Sequence, residues 1–256
     1  MERQSVYVGN NTVLTRTVYG HKLYVSGDDI SLAPHLILDG YWEPWITNMI
    51  QKMVLPGSTI IDIGANVGYY SLIMASLTGE QGKVYSFEAN PRTFDLLQKS
   101  IAINGFSSRI LAEQRAVYSH SGTLTFHCYE REQGGSSINQ PTCSEPYSTI
   151  EVSAISLDER FDGQRIDLIK MDAEGAELAI LKGARKLLQA NPQINIVTEI
   201  NKGALESAGH SVAKLLQFAA EQGFSPLLIA TDGTLKEVDA PELERLGVSD
   251  IILARD

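Results

Sequence analysis

Cysteine is scarce in this chain: Cys128 and Cys143 are its two thiols in 256 residues. They stand in no CxxC spacing, which argues against a disulfide framework or a cysteine-bound zinc site and points to two reduced thiols in a cytoplasmic setting. Long apolar runs are missing too. No stretch reaches the ~18 residues that a membrane span needs, and Met1–Asn10, with Glu2, Arg3 and Gln4, lacks the apolar centre of a signal peptide. Positive charge is in short supply: 21 Lys and Arg against 31 Asp and Glu leave a net charge of −10. With no clustered basic patch, that field repels polyanions and argues against nucleic-acid binding as the main task. The five histidines, His21, His35, His120, His127 and His210, show no paired spacing, so a histidine metal centre is not expected. His35, close to Tyr41-Trp42-Glu43, is the one to watch.

What remains is an alternation. From Ser58 onward, apolar strands at Thr59–Ile63, Lys83–Glu88, Ile110–Arg115, Ile166–Met171, Ile194–Ile200, Phe224–Ala230 and Asp250–Ala254 are separated by amphipathic helices. This is the pattern of an α/β domain, a mostly parallel sheet with helices on both faces. Phe94, Leu97 and Ile101 form one helical stripe, and Leu178, Leu181, Ala184 and Leu188 another; both read as core. Residues 1–55 read as an N-terminal β/α extension, with strands at Thr12–Val18 and Lys22–Val25 and a helix at Glu43–Met53, capping a single compact unit over 56–256. Between Ser119 and Ile155 a turn at Ser121-Gly122 joins two strands, Ala116–Tyr118 and Thr123–Tyr129. A polar loop with Gly134-Gly135-Ser136-Ser137 follows, expected to close over a ligand with its serines as hydrogen-bond donors.

The segment Ile60-Ile61-Asp62-Ile63-Gly64-Ala65-Asn66-Val67-Gly68 is a strand running into a glycine-bearing turn that opens a helix. Glycines there let the backbone approach a ligand closely. The middle position of the nicotinamide fingerprint G-x-G-x-x-G is Asn66, and Asp62 stands inside the strand end, so the pattern departs from dinucleotide binding. Glu88, at the end of the second strand, stands where a carboxylate can accept both hydroxyl protons of a ribose. Together these favour S-adenosylmethionine (SAM) over NAD. Asp62 could simply cap the Gly64 turn, and Tyr69 and Tyr70 could be helix-packing aromatics.

Five blocks in order make the chain resemble the FkbM family of SAM-dependent methyltransferases: Gly40-Tyr41-Trp42-Glu43-Pro44, Ile61 to Tyr70, Phe87-Glu88-Ala89-Asn90-Pro91, Gly134 to Ser137, and Ile169-Lys170-Met171-Asp172-Ala173-Glu174-Gly175-Ala176-Glu177. The resemblance implies a Rossmann-like class I methyltransferase fold with a seven-stranded sheet. It also implies methyl transfer to a hydroxyl oxygen of a sugar, glycolipid or secondary metabolite. The cofactor site then comprises Asp62, Gly64, Ala65, Asn66, Gly68, Tyr69, Tyr70, Glu88, Asn90, Ala116 and Asp172. Ala89, where proline is usual in the family, and Asn201, where histidine often follows the strand-end glutamate, are departures, and the second removes a candidate base.

Ligands lie beyond the carboxyl ends of the strands in such sheets, so Asp172 and Glu174 should face Glu199 and Asn201 across the pocket. Asp172, Glu174 and Glu199 are the candidate catalytic residues, one of them a general base. Alternatively Asp172, Glu199 and Asn201 hold a magnesium ion, a layout that resembles catechol-type and macrocin-type O-methyltransferases. Glu177 is expected only to favour the positive end of its helix, worth ~0.3–1 kcal/mol. The expected partner is a small-molecule or glycan acceptor, and homo-oligomerisation is left open. N-methylation of a small molecule, a nicotinamide-dependent oxidoreductase on the same fold, and a SAM-binding module without turnover are the competing functions.

Overall fold

In the computed structural model, residues 5–140 and 145–255 are described; Cys143 and the polar positions beside it lie outside them. The chain opens with an antiparallel sheet of β1 (Val6–Gly9), β2 (Thr12–Arg16) and β3 (Lys22–Ser26). Next come β4 (Thr59–Ile63), β5 (Lys83–Phe87) and β6 (Ile110–Glu113), then β7 (Ala116–Val117), β8 (Gly122–Tyr129) and β9 (Tyr147–Ile155). The C-terminal part supplies β10 (Leu168–Met171), β11 (Asn195–Asn201), β12 (Ser225–Ile229), β13 (Leu235–Glu237) and β14 (Val248–Ala254).

The main sheet has the order β13-β12-β14-β11-β10-β4-β5-β6. Strands β11, β10, β4, β5 and β6 run parallel, while β14 lies antiparallel between β11 and β12. All seven expected strands are here; the eighth, β13, is a three-residue exposed edge. The order reverses between β4 and β10, which opens a crevice beyond their carboxyl ends.

Successive residues of β4 point to opposite faces. Ile61 and Ile63 join Met171, Leu178, Leu188 and Ile196 in one core, and Ile60 joins Leu72, Val84, Leu97 and Val197 in the other. Leu23, Val25, Leu36 and Ile50 belong to that second core, so the first fifty residues share it. Asn90 caps the helix Pro91–Ile103 by accepting from Arg92 N–H, and Asn191 follows the last residue of the helix Arg185–Ala190. The helical stripe after β10 is split into Glu177–Lys182 and Arg185–Ala190 at Gly183, where a Cβ would meet the Tyr118 carbonyl at 2.4 Å.

Three expectations are corrected. The strand β1 was not foreseen. The stretch 119–155 is not chiefly a loop, because β8 and β9 pair antiparallel from Gly122↔Ala154 to Tyr129↔Tyr147. Nor does β7 pair with β8; it runs parallel to β9, on the opposite side of β9 from β8. The reason is exposure: one face of this small sheet is solvated and rich in Thr and Ser, and among the described residues its own core is small, with Ala89, Ala116, Phe126, Cys128, Val152 and Ala154. Among the described residues no helix is long and apolar enough to cross a membrane.

The turn after β4 fixes the crevice. Gly64 has φ = +73°, and a Cβ on it would lie 1.9 Å from the Asp172 carbonyl oxygen. The N–H groups of Gly64 and Ala65 both donate to the Phe87 carbonyl at 3.0 Å. Gly64→Ala therefore meets an unfavourable φ and a backbone clash together, and should cost at least about 3 kcal/mol. Urea unfolding checks this; a midpoint within error of the parent would refute the packing described.

Candidate active site

A cavity of about 250 Å³ fills the crevice, against about 10 Å³ for a second one adjoining it. One wall comes from the turn after β4 and the ends of β5 and β7, with Gly64, Ala65, Asn66, Glu88 and Ala116. The opposite wall follows β10 and β11, with Asp172, Glu174 and Glu199. Tyr69, Tyr70, Trp42 and Glu43 close one side, and Gln133–Ile138 the other.

Two backbone amides hold Glu88: Oε2 accepts from Asn66 N–H and Oε1 from Asn90 N–H, each at 2.8 Å, and the Thr93 side chain bonds it as well. Burial pushes its pKa up, and these bonds oppose the shift. Asn66 reaches this position in the left-handed region, at φ = +49°, a conformation that asparagine tolerates better than most residues.

The acidic wall is crowded. Carboxylate oxygens of Asp172, Glu174 and Glu199 lie within 4.8 Å of one another, and so do those of Glu43, Glu199 and Asp250. Glu199 belongs to both groups because β11 pairs with β14, which sets Glu199 directly opposite Asp250. Like charges so placed repel. Burial, then Asp172, Glu174 and Asp250, push the Glu199 pKa up to about 9. Burial with Asp172 and Glu177 takes Glu174 to about 8, and burial with Asp250 takes Glu43 to about 7. Asp250 also shifts upward through burial, although the Trp45 indole N–H donates to it at 2.9 Å.

The cation among them is Lys170, whose Nζ lies 3.4 Å from Asp172 Oδ2 and 4.9 Å from the Tyr70 ring centre. Burial disfavours its charge, but Asp172, Asp62 and Glu43 together outweigh that and raise its pKa. The Tyr70 hydroxyl in turn donates to Glu43 at 2.8 Å.

Of the residues expected at the site, ten line the cavity: Gly64, Ala65, Asn66, Tyr69, Tyr70, Glu88, Ala116, Asp172, Glu174 and Glu199. Four do not. Asp62 is fully buried beneath it, accepting from the Ser71 hydroxyl. Gly68 opens the helix Tyr69–Thr78 at φ = +95°, where a Cβ would meet Leu97 at 2.6 Å. Asn90 is a helix cap. Asn201 caps the helix Lys202–Ser207 by accepting from Ala204 N–H at 3.1 Å and is not part of the cavity lining.

The serines of the glycine-rich segment also differ from expectation. Ser136 Oγ accepts from Tyr129 N–H and Ser137 Oγ donates to the Glu174 carbonyl, so both bond the protein itself. Glu177 does more than face a helix end: Oε1 accepts from Ala173 and Gly175 N–H, and burial brings its pKa to about 7. His35 stacks on Trp42 at 5.0 Å between ring centres, outside the cavity lining. Sequence reading missed Glu43, Lys170 and Asp250 as site residues. The first two stand inside the quoted blocks, whereas Asp250 carries no local signal at all.

The strand order, with β14 and the short edge strand β13 antiparallel in an otherwise parallel sheet, is a Rossmann-like class I methyltransferase fold. A chain described as an rRNA methylase from Clostridium thermocellum superposes with a TM-score of 0.52 at 10% identity, over 82% of this chain and 93% of that one, which speaks for the fold alone. The sequence profile of the Methyltransferase FkbM domain matches residues 62–226, and the chain belongs to that family. Methyltransferase sdnD of Sordaria araneosa is 30% identical over 154 residues, 48% of this chain and 59% of that protein. Hexuronic acid methyltransferase AglP of Haloferax volcanii is 27% identical over 146 residues, 56% of this chain and 55% of that protein. The match thus spans little more than half the length of these relatives.

A carboxyl group whose folded pKa is raised binds more protons folded than unfolded, so the stability it contributes is lost as pH rises through the folded value. With Glu43 and Glu177 at about 7, Glu174 at about 8 and Glu199 at about 9, the melting temperature of the ligand-free protein should fall between pH 6 and pH 9. Glu199→Gln should flatten the fall. Differential scanning fluorimetry across that range decides it, and a flat or rising profile for the parent chain would contradict the electrostatics described.

Proposed function

We propose that this chain is a SAM-dependent methyltransferase that transfers a methyl group to a hydroxyl oxygen of a sugar or similar polyhydroxylated small molecule. One observation carries the reading: a single cavity sets Glu88, held by two backbone amides, opposite a cluster of carboxylates whose pKa values are raised into the range of a general base. The hexuronic acid methyltransferase of Haloferax volcanii supports a sugar-like acceptor. Family membership weighs against the nicotinamide alternative.

The residues fit the cofactor. Each Glu88 oxygen accepts one amide and keeps acceptor capacity for a ribose hydroxyl. The carboxyl groups of the opposite wall, able to ionise beside a positive charge, suit a sulfonium and an ammonium group. When bound, SAM supplies a methyl carbon made electrophilic by its positive sulfur.

Glu199 and Glu174 hold their protons near neutral pH in the free protein. A positive charge nearby lowers their pKa, so occupancy of the cofactor site frees a carboxylate just where the acceptor hydroxyl must lose its proton. Lys170 keeps Asp172 from drifting within the cluster. A second reading rests on the spacing of Asp172, Glu174 and Glu199, three hard oxygen donors that suit a divalent ion such as magnesium, with Glu174 in the place expected for Asn201.

Calorimetric titration at pH 7.5 in buffers of different ionisation enthalpy tests the electrostatics. SAM should release more protons than S-adenosylhomocysteine, whose sulfur is neutral; equal release would refute the base assignment. In the same assay Glu88→Ala, in a chain that still folds, should weaken SAM binding at least tenfold. Unchanged affinity would remove Glu88 from the ribose role. Transfer of labelled methyl from SAM to a panel of hexoses, uronic acids and amino sugars, with EDTA or magnesium, then reports the acceptor and the atom modified. Activity abolished by EDTA and restored by magnesium would select the metal reading over the free base.

A further inference from the structure

The peptide plane joining Glu174 to Gly175 is gripped at both ends. Its carbonyl accepts from Asn139 Nδ2 at 2.6 Å and from Ser137 Oγ at 3.0 Å. Its N–H donates to Glu177 Oε1 at 3.1 Å, and the Ala173 N–H shares that oxygen at 3.2 Å. Ser137 is itself fixed to β8 through reciprocal backbone bonds with His127 at 2.8 and 3.1 Å, and its hydroxyl accepts from Asn139 N–H at 3.1 Å. The Ala204 carbonyl covers the backbone on the far side so closely that a Cβ on Gly175 would come within 2.4 Å of its oxygen.

Glu174 pays for this grip with its backbone. Its φ is +50°, the left-handed region that glutamate seldom occupies. A conformation so disfavoured persists only where surrounding contacts over-determine it, and such residues cluster at functional sites. In the right-handed or extended region the Cα–Cβ bond would leave in another direction. Here it brings the carboxyl group to the cavity, beside Asp172 and Glu199.

We propose that Ser137 and Asn139 are positioning residues: from the glycine-rich wall they clamp the Glu174 carbonyl and so hold the Glu174 carboxyl group at the reacting centre. The inference rests on the proposed methyltransferase reading of the cavity. It assigns the serine of the Gly134–Ser137 block a partner in the protein instead of in the substrate, and it couples the two walls. A ligand that displaces the 133–139 segment would at the same time release Glu174.

The test has two arms on the full chain. Backbone ¹³Cα, ¹³Cβ and ¹⁵N chemical shifts of Glu174 should report a left-handed residue in the parent and lose that signature in Ser137→Ala/Asn139→Ala. Retention of the signature in the double variant overturns the proposal. If that variant does not fold, Asn139→Ala, which removes the shorter of the two bonds to the Glu174 carbonyl without adding charge, takes its place.

In the second arm, methyl transfer to the acceptor found in the panel should lose at least tenfold in kcat, with KM for SAM within twofold of the parent. On a Glu174→Gln background the same substitutions should cost less than twofold, because they act through that residue. Multiplicative losses would mark a role in stability only and would also overturn it. Should no acceptor be methylated, the functional reading fails, while the chemical shifts still decide the positioning of Glu174.

Discussion

The contact on which the rest depends is the approach of two strand ends at the switch point of the sheet. Gly64 passes so close to the Asp172 carbonyl that no side chain fits between them. Because β4 and β10 are drawn together there, the turn after β4 and the acidic loop after β10 become two lips of one crevice. Glu88 enters from β5 and Glu199 from β11, the next strands outward on either side. The cavity is thus a consequence of strand order and of one missing Cβ.

Electrostatics then give the crevice its character. Among the described residues, five carboxyl groups, from Glu43, Asp172, Glu174, Glu199 and Asp250, share a small volume with the ammonium of Lys170. Such an imbalance is costly in a low-dielectric setting, and the chain relieves it by holding protons on the glutamates. Stability has been traded for an environment that a positive charge would complete. The backbone strain at Glu43, Asn66 and Glu174, all at positive φ around the same cavity, belongs to the same pattern.

Much of this was legible in the sequence, and the parts that were not share a cause. The central strands were the most readable, because β4 and β10 are buried on both faces and appear as apolar runs, whereas β6 and β12 nearer the edges are largely half-buried. By contrast, β8 and β9 bury a thin core on one face only, and their polar residues disguise them as loop. Asp62 looked like a ligand because it stands in the glycine turn's motif. In a strand, however, alternate residues point to opposite sides, and Asp62 points at Ser71 on the helix behind. Asn201 looked like a metal ligand for its place at a strand end, yet its side chain serves the next helix instead.

The sequence by itself determined the class of fold, the family, the glycine turn, and that Glu88, Asp172, Glu174 and Glu199 gather at the crevice, because those signals are local and lie within a few residues of a strand end. Only the tertiary structure decided that Asp250 stands opposite Glu199, that Glu43 and Lys170 complete the cluster, and that Ser137 and Asn139 reach the Glu174 carbonyl. These are contacts between elements far apart in the chain. Strand pairing and backbone approach create them, and no spacing along the sequence encodes either.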